Sequence, residues 1–321
     1  SWEVVWMRVC GECGVPRDVS KGLVWHENGV ITQSRDPDHR MIFYESDNLD
    51  HLFLGIEEII GVSIGHIVIE SKRREVREYV ENLLPAPARK LARYGGLGMM
   101  IRKLGGVGKA YGYGSASLAA KRIRFGSGDY VTMRVKNPHS ILFYCGENLG
   151  AWEAIDGRES RVRYEEIESG TFEVTNHIGE HPVELRERLR VPRYAYKPGD
   201  IAFERCRLCY APLDVAACRW DPEAGTITDP ATGRRMAIFG PAGFEAVLRD
   251  LEAELGETIR DAVVEAQRRF VRKRLSREDF GLGREAMRRM LALRGLGNLV
   301  SLEAGAGRLD ATIENSCLGP L

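Results

Sequence analysis

Cys10-Gly11-Glu12-Cys13 lies near the start of this chain, and a second CxxC pair, Cys206-Arg207-Leu208-Cys209, follows 196 residues later. The residues after each pair recur as well, and the offset between matching positions changes only between 195 and 196. The matching positions include Pro16 and Pro212, Trp25 and Trp220, Gly29 and Gly225, Arg40-Met41 and Arg235-Met236, and Gly61 and Gly256. This pattern predicts two tandem, pseudo-symmetric copies of one module, which agrees with a length of 321 residues.

The composition limits the classes of function. Lys and Arg together number 46, as do Asp and Glu, so the formal net charge is zero. Proteins that bind nucleic acid through its phosphates usually carry a basic excess, so no nucleic-acid partner is predicted. No apolar run reaches 18 residues and no signal peptide is visible, so we expect neither a transmembrane segment nor secretion. Seven cysteines in total, an odd number, favour reduced thiols or metal binding in a cytoplasmic protein.

The two copies share a local pattern of strands. An alternating apolar and polar stretch leads into each CxxC pair, and a hairpin follows it. The hairpin loops end at Gly29 and Gly225, which supply the positive φ that such turns need. A further strand containing Met41 or Met236 is expected after each hairpin.

Long amphipathic helices come next in each copy, over residues 48–84 and 241–275, where apolar residues recur at spacings of three and four. Gly61 and Gly256 lie at equivalent places within these segments. Glycine is unfavourable inside a helix, so each position predicts a kink or a break. Glu70 and Glu265 with the arginines that follow them predict ion pairs on the helix surface.

Residues 95–114 are rich in glycine, and residues 105–109 read Gly-Gly-Val-Gly-Lys, which is similar to part of a phosphate loop. That loop needs Ser or Thr after the lysine and a glycine at position 103, where this chain has Ala110 and Lys103. A phosphate site is therefore not predicted. The segment is interpreted as a flexible connection between short helices, with a mobile lid or a basic amphipathic segment in peripheral membrane contact as alternatives.

Beyond this segment, the pattern predicts a strand over residues 129–135, a helix over 139–155, and a hairpin of 161–167 with 171–178. His177 and His181 have the spacing of a helical metal-ligand pair. Gly179 and Pro182 argue against a helix there, and a solvated loop is the prediction.

This second part of the copy resembles a known family. A strand, an Asn, a helix of small and apolar residues and a Glu-rich hairpin are similar to the 4-vinyl reductase-like domain and to the Bet3-related lipid-pocket fold of transport particles. The resemblance covers Val131–Asn137, Ser140–Ile155 and Val162–His177, and Leu309–Asn315 begins the same pattern again. It implies an α+β domain that pairs with a second copy and encloses an apolar pocket, and that senses or carries small apolar molecules.

One position departs from the family. A cysteine is common in the family's terminal hairpin, whereas this chain has Glu165, Glu166 and Glu168 there. Metal or cysteine chemistry in that hairpin is therefore not expected.

The predicted organisation is an α+β chain in four parts. Residues 1–85 form the CxxC, hairpin and helix part of copy 1, and residues 86–195 form its glycine-rich linker and 4-vinyl reductase-like part. Residues 196–275 repeat the first part, and residues 276–321 begin the second. Because the second copy stops six residues after Asn315, we expect the natural protein to continue beyond Leu321.

The CxxC pairs are the candidate metal ligands. A structural zinc site needs four ligands, and each copy supplies one pair. The economical solution is a single shared zinc bound by Cys10, Cys13, Cys206 and Cys209 in a pseudo-dimer within one chain. Three alternatives stay open: separate local sites that use His26 or Cys218, thiol redox chemistry, and inert or disulfide-forming pairs.

No set of residues resembles a catalytic acid, base and nucleophile, so no catalytic residue is assigned. The predicted function is a non-catalytic, zinc-stabilised module that binds a small apolar ligand or a partner protein, as a sensor, carrier or scaffold. The alternative is a thiol redox protein or a reductase component that uses the CxxC pairs or the pocket.

Overall fold

A computed structural model describes residues 7–182, 195–274, 283–305 and 308–317. These residues form helices and antiparallel sheets, so the predicted α+β class is confirmed.

The secondary structure of residues 7–182 begins with a one-turn helix and three short strands, and it continues with long helices and a second set of strands. Its elements are α1 (Arg17–Ser20), β1 (Leu23–Trp25), β2 (Ile31–Gln33), β3 (Arg40–Glu45), α2 (Ser46–Ile60), α3 (Gly65–Leu83), α4 (Ala86–Leu91), a π-helical turn (Ala92–Gly96), α5 (Leu97–Ala110), β4 (Ser115–Arg122), β5 (Tyr130–Lys136), α6 (Ile141–Asp156), β6 (Ser160–Glu168) and β7 (Thr171–Ile178).

The described residues after position 195 follow the same order. Their elements are α7 (Leu213–Ala216), β8 (Arg219–Asp221), β9 (Thr226–Thr228), β10 (Arg235–Phe239), α8 (Pro241–Leu255), α9 (Thr258–Arg274), α10 (Arg284–Leu293), β11 (Asn298–Gly305) and β12 (Arg308–Glu314). The predicted hairpins and the strands holding Met41 and Met236 are confirmed, with φ of 77° at Gly29 and 65° at Gly225.

A six-stranded antiparallel sheet joins the two parts of the chain, in the order β1-β2-β3-β10-β9-β8. The strands β3 and β10 pair at its centre, with Phe43 opposite Ile238 and Ile42 opposite Phe239. Side chains alternate between the two faces along each strand. Phe43 and Ile238 therefore enter one core, while Ile42 and Phe239 enter another on the opposite face.

Four helices cover one face of this sheet. The pairs α2–α3 and α8–α9 bury a shared apolar core that contains Phe53, Ile64, Val247 and Ile259. Gly61, with φ 74°, ends α2, and Gly256, with φ 82°, ends α8. The predicted breaks at these glycines are confirmed, because both residues adopt the positive φ that favours glycine.

A four-stranded sheet, β4-β5-β7-β6, packs against α6. Its strand β5, the helix α6 and the hairpin β6–β7 confirm the elements predicted over residues 129–178. Ser140 begins α6 by accepting the backbone N–H of Phe143 at 3.4 Å, and Gly157, with φ 79°, ends the helix. Both positions are favourable helix caps.

The glycine-rich segment differs from its prediction. Residues 86–110 run through α4, the π-helical turn and α5, so helix is continuous where a flexible connection was expected. The residues 105–109 lie inside α5, which agrees with the absence of a phosphate loop. Leu97 and Ala110 of this helix are buried, so tertiary packing outweighs the low helix propensity of its glycines.

The helices α3 and α6 cross closely because α6 presents glycines to α3. A Cβ added at Gly150 would lie 2.4 Å from the carbonyl oxygen of Arg73, and one at Gly146 would lie 2.6 Å from that of Ile69. At such distances a methyl group has no space, and one helix must move.

We therefore expect Gly150→Ala to lower the free energy of unfolding by about 1–3 kcal/mol, the usual cost of overpacking. Gly98→Ala is the matched control, because Gly98 is an exposed helical glycine with nothing within 4 Å of an added Cβ. It should leave stability unchanged or raise it by up to about 1 kcal/mol. Urea unfolding of both variants measures the difference, and equal midpoints would contradict the close helix crossing.

Candidate functional site

Both CxxC pairs lie in the same kind of tight turn. In the first, Cys10 N–H donates to Val15 O at 2.9 Å, and in the second, Cys206 N–H donates to Ala211 O at 2.9 Å. The residue after each pair, Gly14 or Tyr210, has a positive φ of 76° or 63°. The backbone around the two pairs is therefore alike.

The four predicted cysteines meet in one cluster. The Sγ atoms of Cys10, Cys13, Cys206 and Cys209 all lie within 4.8 Å of one another. Cys10 Sγ is 3.8 Å from Cys206 Sγ, and Cys13 Sγ is 3.5 Å from Cys209 Sγ. Sulfurs about 2.3 Å from a tetrahedrally bound metal would be about 3.8 Å apart. The cluster could therefore hold a metal ion.

The residues proposed for separate local sites do not join this cluster. The ring of His26 forms a hydrogen bond between Nε2 and Thr32 Oγ1 at 2.8 Å. Cys218 is half-buried outside the group of four cysteines, and burial raises the pKa of its thiol to about 12. A site shared by the two CxxC pairs is thus the arrangement that the geometry favours.

The thiols of the first pair differ in acidity. Hydrogen bonds from the backbone amides of Cys13 and Glu12 lower the pKa of Cys10 to about 7, whereas burial raises the pKa of Cys13 to about 12. A divalent cation would favour the thiolate form of all four groups, because metal binding displaces thiol protons.

An apolar cavity of about 280 Å³ lies between α3, α5, α6 and the four-stranded sheet. This volume is just below the usual range for small-molecule sites, which is roughly 300–1,000 Å³. The apolar part of its wall includes Val80, Leu97, Ile101, Met133, Trp152 and Ile155. The glycine-rich helix α5 forms one side of the wall.

One part of the cavity wall is charged. Lys72 Nζ lies 2.6 Å from Glu75 Oε2 and 3.7 Å from Glu147 Oε1. Burial alone would lower the pKa of Lys72. The two carboxylates raise this pKa by more than burial lowers it, so the net shift is upward and the lysine remains an ammonium. Burial raises the pKa of Glu75. The sequence patterns missed these residues, although Glu147 is a charged residue in an otherwise largely apolar helix.

A second buried ionic cluster joins α3, α6 and the segment after β7. Arg73 Nε donates to Glu70 at 2.7 Å, and His181 lies 3.0 Å from Glu70 through Nδ1 and 2.5 Å from Glu153 through Nε2. The ion pair predicted for Glu70 forms with Arg73, but it is buried and does not lie on the surface, because α6 covers this face of α3. The solvated loop predicted for His181 is wrong, because this side chain is buried as well. The equivalent pair in α9, Glu265 with Arg268, is exposed as predicted.

Comparisons with known proteins found no matching family model, no matching curated protein and no matching solved structure. The resemblance to the 4-vinyl reductase-like domain therefore stays an expectation. None of the helices in the described ranges is long and apolar enough to cross a membrane.

The cysteine cluster predicts that Cys13→Ser weakens metal binding. Metal content should fall from one ion per chain, and the free energy of unfolding should fall by at least about 2 kcal/mol, because a structural metal contributes to folding. Elemental analysis and thermal unfolding measure the two effects.

Cys218→Ser is the matched control, because it removes a half-buried cysteine outside the cluster. It should keep the metal. Unchanged metal content and melting in the Cys13 variant would contradict the shared site.

Proposed function

We propose that this chain is a non-catalytic, zinc-stabilised module that binds a small apolar ligand in the cavity beneath α5. The observation that carries the proposal is the cavity itself, a partly open, largely apolar space of about 280 Å³ with a charged group of residues at one place in its wall. A concave, mostly apolar space with a few polar groups is typical of small-molecule sites. The cavity favours a ligand-binding role over that of a pure scaffold.

Zinc is the metal we propose for the cysteine cluster. Four thiolates are a soft ligand set that selects zinc or iron–sulfur chemistry, and four protein ligands leave no open position on a tetrahedral ion. The zinc would therefore be structural, and it would tie together turns that are 196 residues apart. Reduced, metal-binding cysteines fit the cytoplasm, where we place the protein.

We further propose that the chain is a tandem duplication folded about a pseudo-two-fold axis. Reciprocal contacts support it. Arg40 donates to the backbone carbonyls of Gly295, Asn315 and Ser316, while Arg235 donates to those of Gly112, Asn137 and Pro138.

Other pairs of contacts have the same reciprocity. Trp25 donates to Leu293 O at 2.9 Å, and Trp220 donates to Ala110 O at 3.2 Å. The residues Asn137 and Asn315 share an uncommon positive φ, 51° and 53°. Each copy thus binds the later segment of the other.

The redox alternative has less support. Reactive CxxC pairs gain acidity from the N-terminus of a helix. Here each pair lies in a turn, and the helices that follow, α1 and α7, have only four residues and begin after Pro16 and Pro212. A set of four mutually close cysteines is also more typical of a metal site than of a dithiol.

Filling the cavity tests the ligand-binding proposal. Ala116 on β4 lines the cavity, whereas Ala120 on the same strand is exposed. We expect Ala116→Leu to weaken the binding of octanol by at least about tenfold, which corresponds to a loss of about 1.4 kcal/mol of binding free energy. Ala120→Leu should bind octanol like the wild type. Isothermal titration calorimetry measures both, and equal affinity in the two variants, or no binding by the wild type, would contradict the proposal.

A further inference from the structure

The charged part of the cavity wall contains an incomplete hydrogen-bond network. Both carboxylate oxygens of Glu147 are buried, and neither accepts a hydrogen bond from the described part of the chain. Leaving a buried acceptor without a donor is unfavourable, and more so when the group is charged. Native structures therefore satisfy such groups, with protein, water or ligand.

The neighbours of Glu147 do not supply the missing donors. Lys72 Nζ forms its hydrogen bond with Glu75 and remains 3.7 Å from Glu147 Oε1. His139 Nε2 comes within 3.5 Å of the same oxygen without forming a hydrogen bond, and its ring stacks on Tyr113. Two carboxyl groups thus lie near a single ammonium group, and that group forms its hydrogen bond with Glu75. The oxygens of Glu147 can therefore accept hydrogen bonds from an occupant of the cavity.

Other groups in the wall also suit a positively charged occupant. Asn176 is fully buried, and its Oδ1 is a second acceptor without a donor among the described residues. Tyr79, Tyr144 and Trp152 line the same cavity. Aromatic faces attract cations, most strongly where water is excluded.

We propose that the cavity binds a small apolar amine in its protonated form, with the ammonium group donating to Glu147 and the hydrocarbon part packing among the apolar residues. This inference rests on the proposed ligand-binding function and adds a class of ligand to it. An ammonium group supplies up to three donors to the open acceptors, and it gives Glu147 a hydrogen-bonded partner of opposite charge.

The same geometry disfavours an acidic ligand such as a fatty acid. Its carboxylate would approach Glu75 and Glu147, while Lys72 is already bound to Glu75. Lys103 also lines the cavity, but it is exposed to solvent and would be the remaining cation available to an anion in this wall. An anionic group would therefore gain little in exchange for its loss of hydration.

Three probes of equal chain length separate these cases: octylamine, octanol and octanoate, each titrated into the full chain by calorimetry. We expect octylamine to bind at least about tenfold more tightly than octanol, because a hydrogen bond from a charged donor to a carboxylate is stronger than one from a neutral hydroxyl group. Octanoate should bind more weakly than octanol. Octanoate binding as tightly as octylamine, or octylamine binding no better than octanol, would overturn the inference while leaving the ligand cavity intact.

A variant identifies the residue responsible. Glu147→Gln keeps the size of the side chain but removes its charge, so we expect the ratio of octylamine affinity to octanol affinity to fall to about one. Glu165→Gln, on an exposed strand position, should keep the preference. An unchanged preference in Glu147→Gln would overturn the assignment. Binding of none of the three probes by the wild type would instead refute the proposed function, and this inference with it.

Discussion

The antiparallel pairing of β3 with β10 is the contact on which the rest of the structure depends. Phe43 and Ile238 face each other at the centre of this pair, so two three-stranded sheets become one sheet of six. Because side chains alternate along these strands, the same pairing builds two cores. The helices α2, α3, α8 and α9 pack into one core, and the turns that hold the cysteines pack against the other.

This pairing also explains why residues far apart in the chain form a single site. Each CxxC turn precedes the outer strands of its own half of the sheet, and the central pairing brings the two turns onto the same face. The four sulfurs then lie within 4.8 Å of one another. Each half supplies only two of the four clustered cysteines, so a metal bound here would depend on the association of the halves and would in turn stabilise it.

Much of this arrangement could be predicted from the residues, and the exceptions share a cause. The repeated CxxC pairs, the glycine-ended hairpins and the helix breaks at Gly61 and Gly256 are local signals with direct physical meaning. The ionic residues of α3 and α9 look alike in sequence, yet Arg73 is buried and Arg268 is exposed. The difference comes from α6, which covers α3, and no property of α3 itself reports that neighbour.

The cavity was expected only from a family resemblance, and its charged residues were not foreseen at all. Lys72, Glu75 and Glu147 come from two helices that meet only in the tertiary fold. The available signal was Glu147 itself, because a charged side chain in a helix with little polar surface usually has a specific partner. The helix α5, rich in glycine, shows the reverse effect, in which packing overrides a weak local preference.

X-ray absorption spectroscopy of the metal in the purified full chain tests the central claim most directly. If the two CxxC pairs share one zinc, the spectrum should fit four sulfur ligands at about 2.3 Å, with one zinc per chain. A first shell of two sulfurs with nitrogen or oxygen ligands would instead indicate separate local sites. That result, or a protein that binds no metal with its four thiols free, would contradict the shared centre.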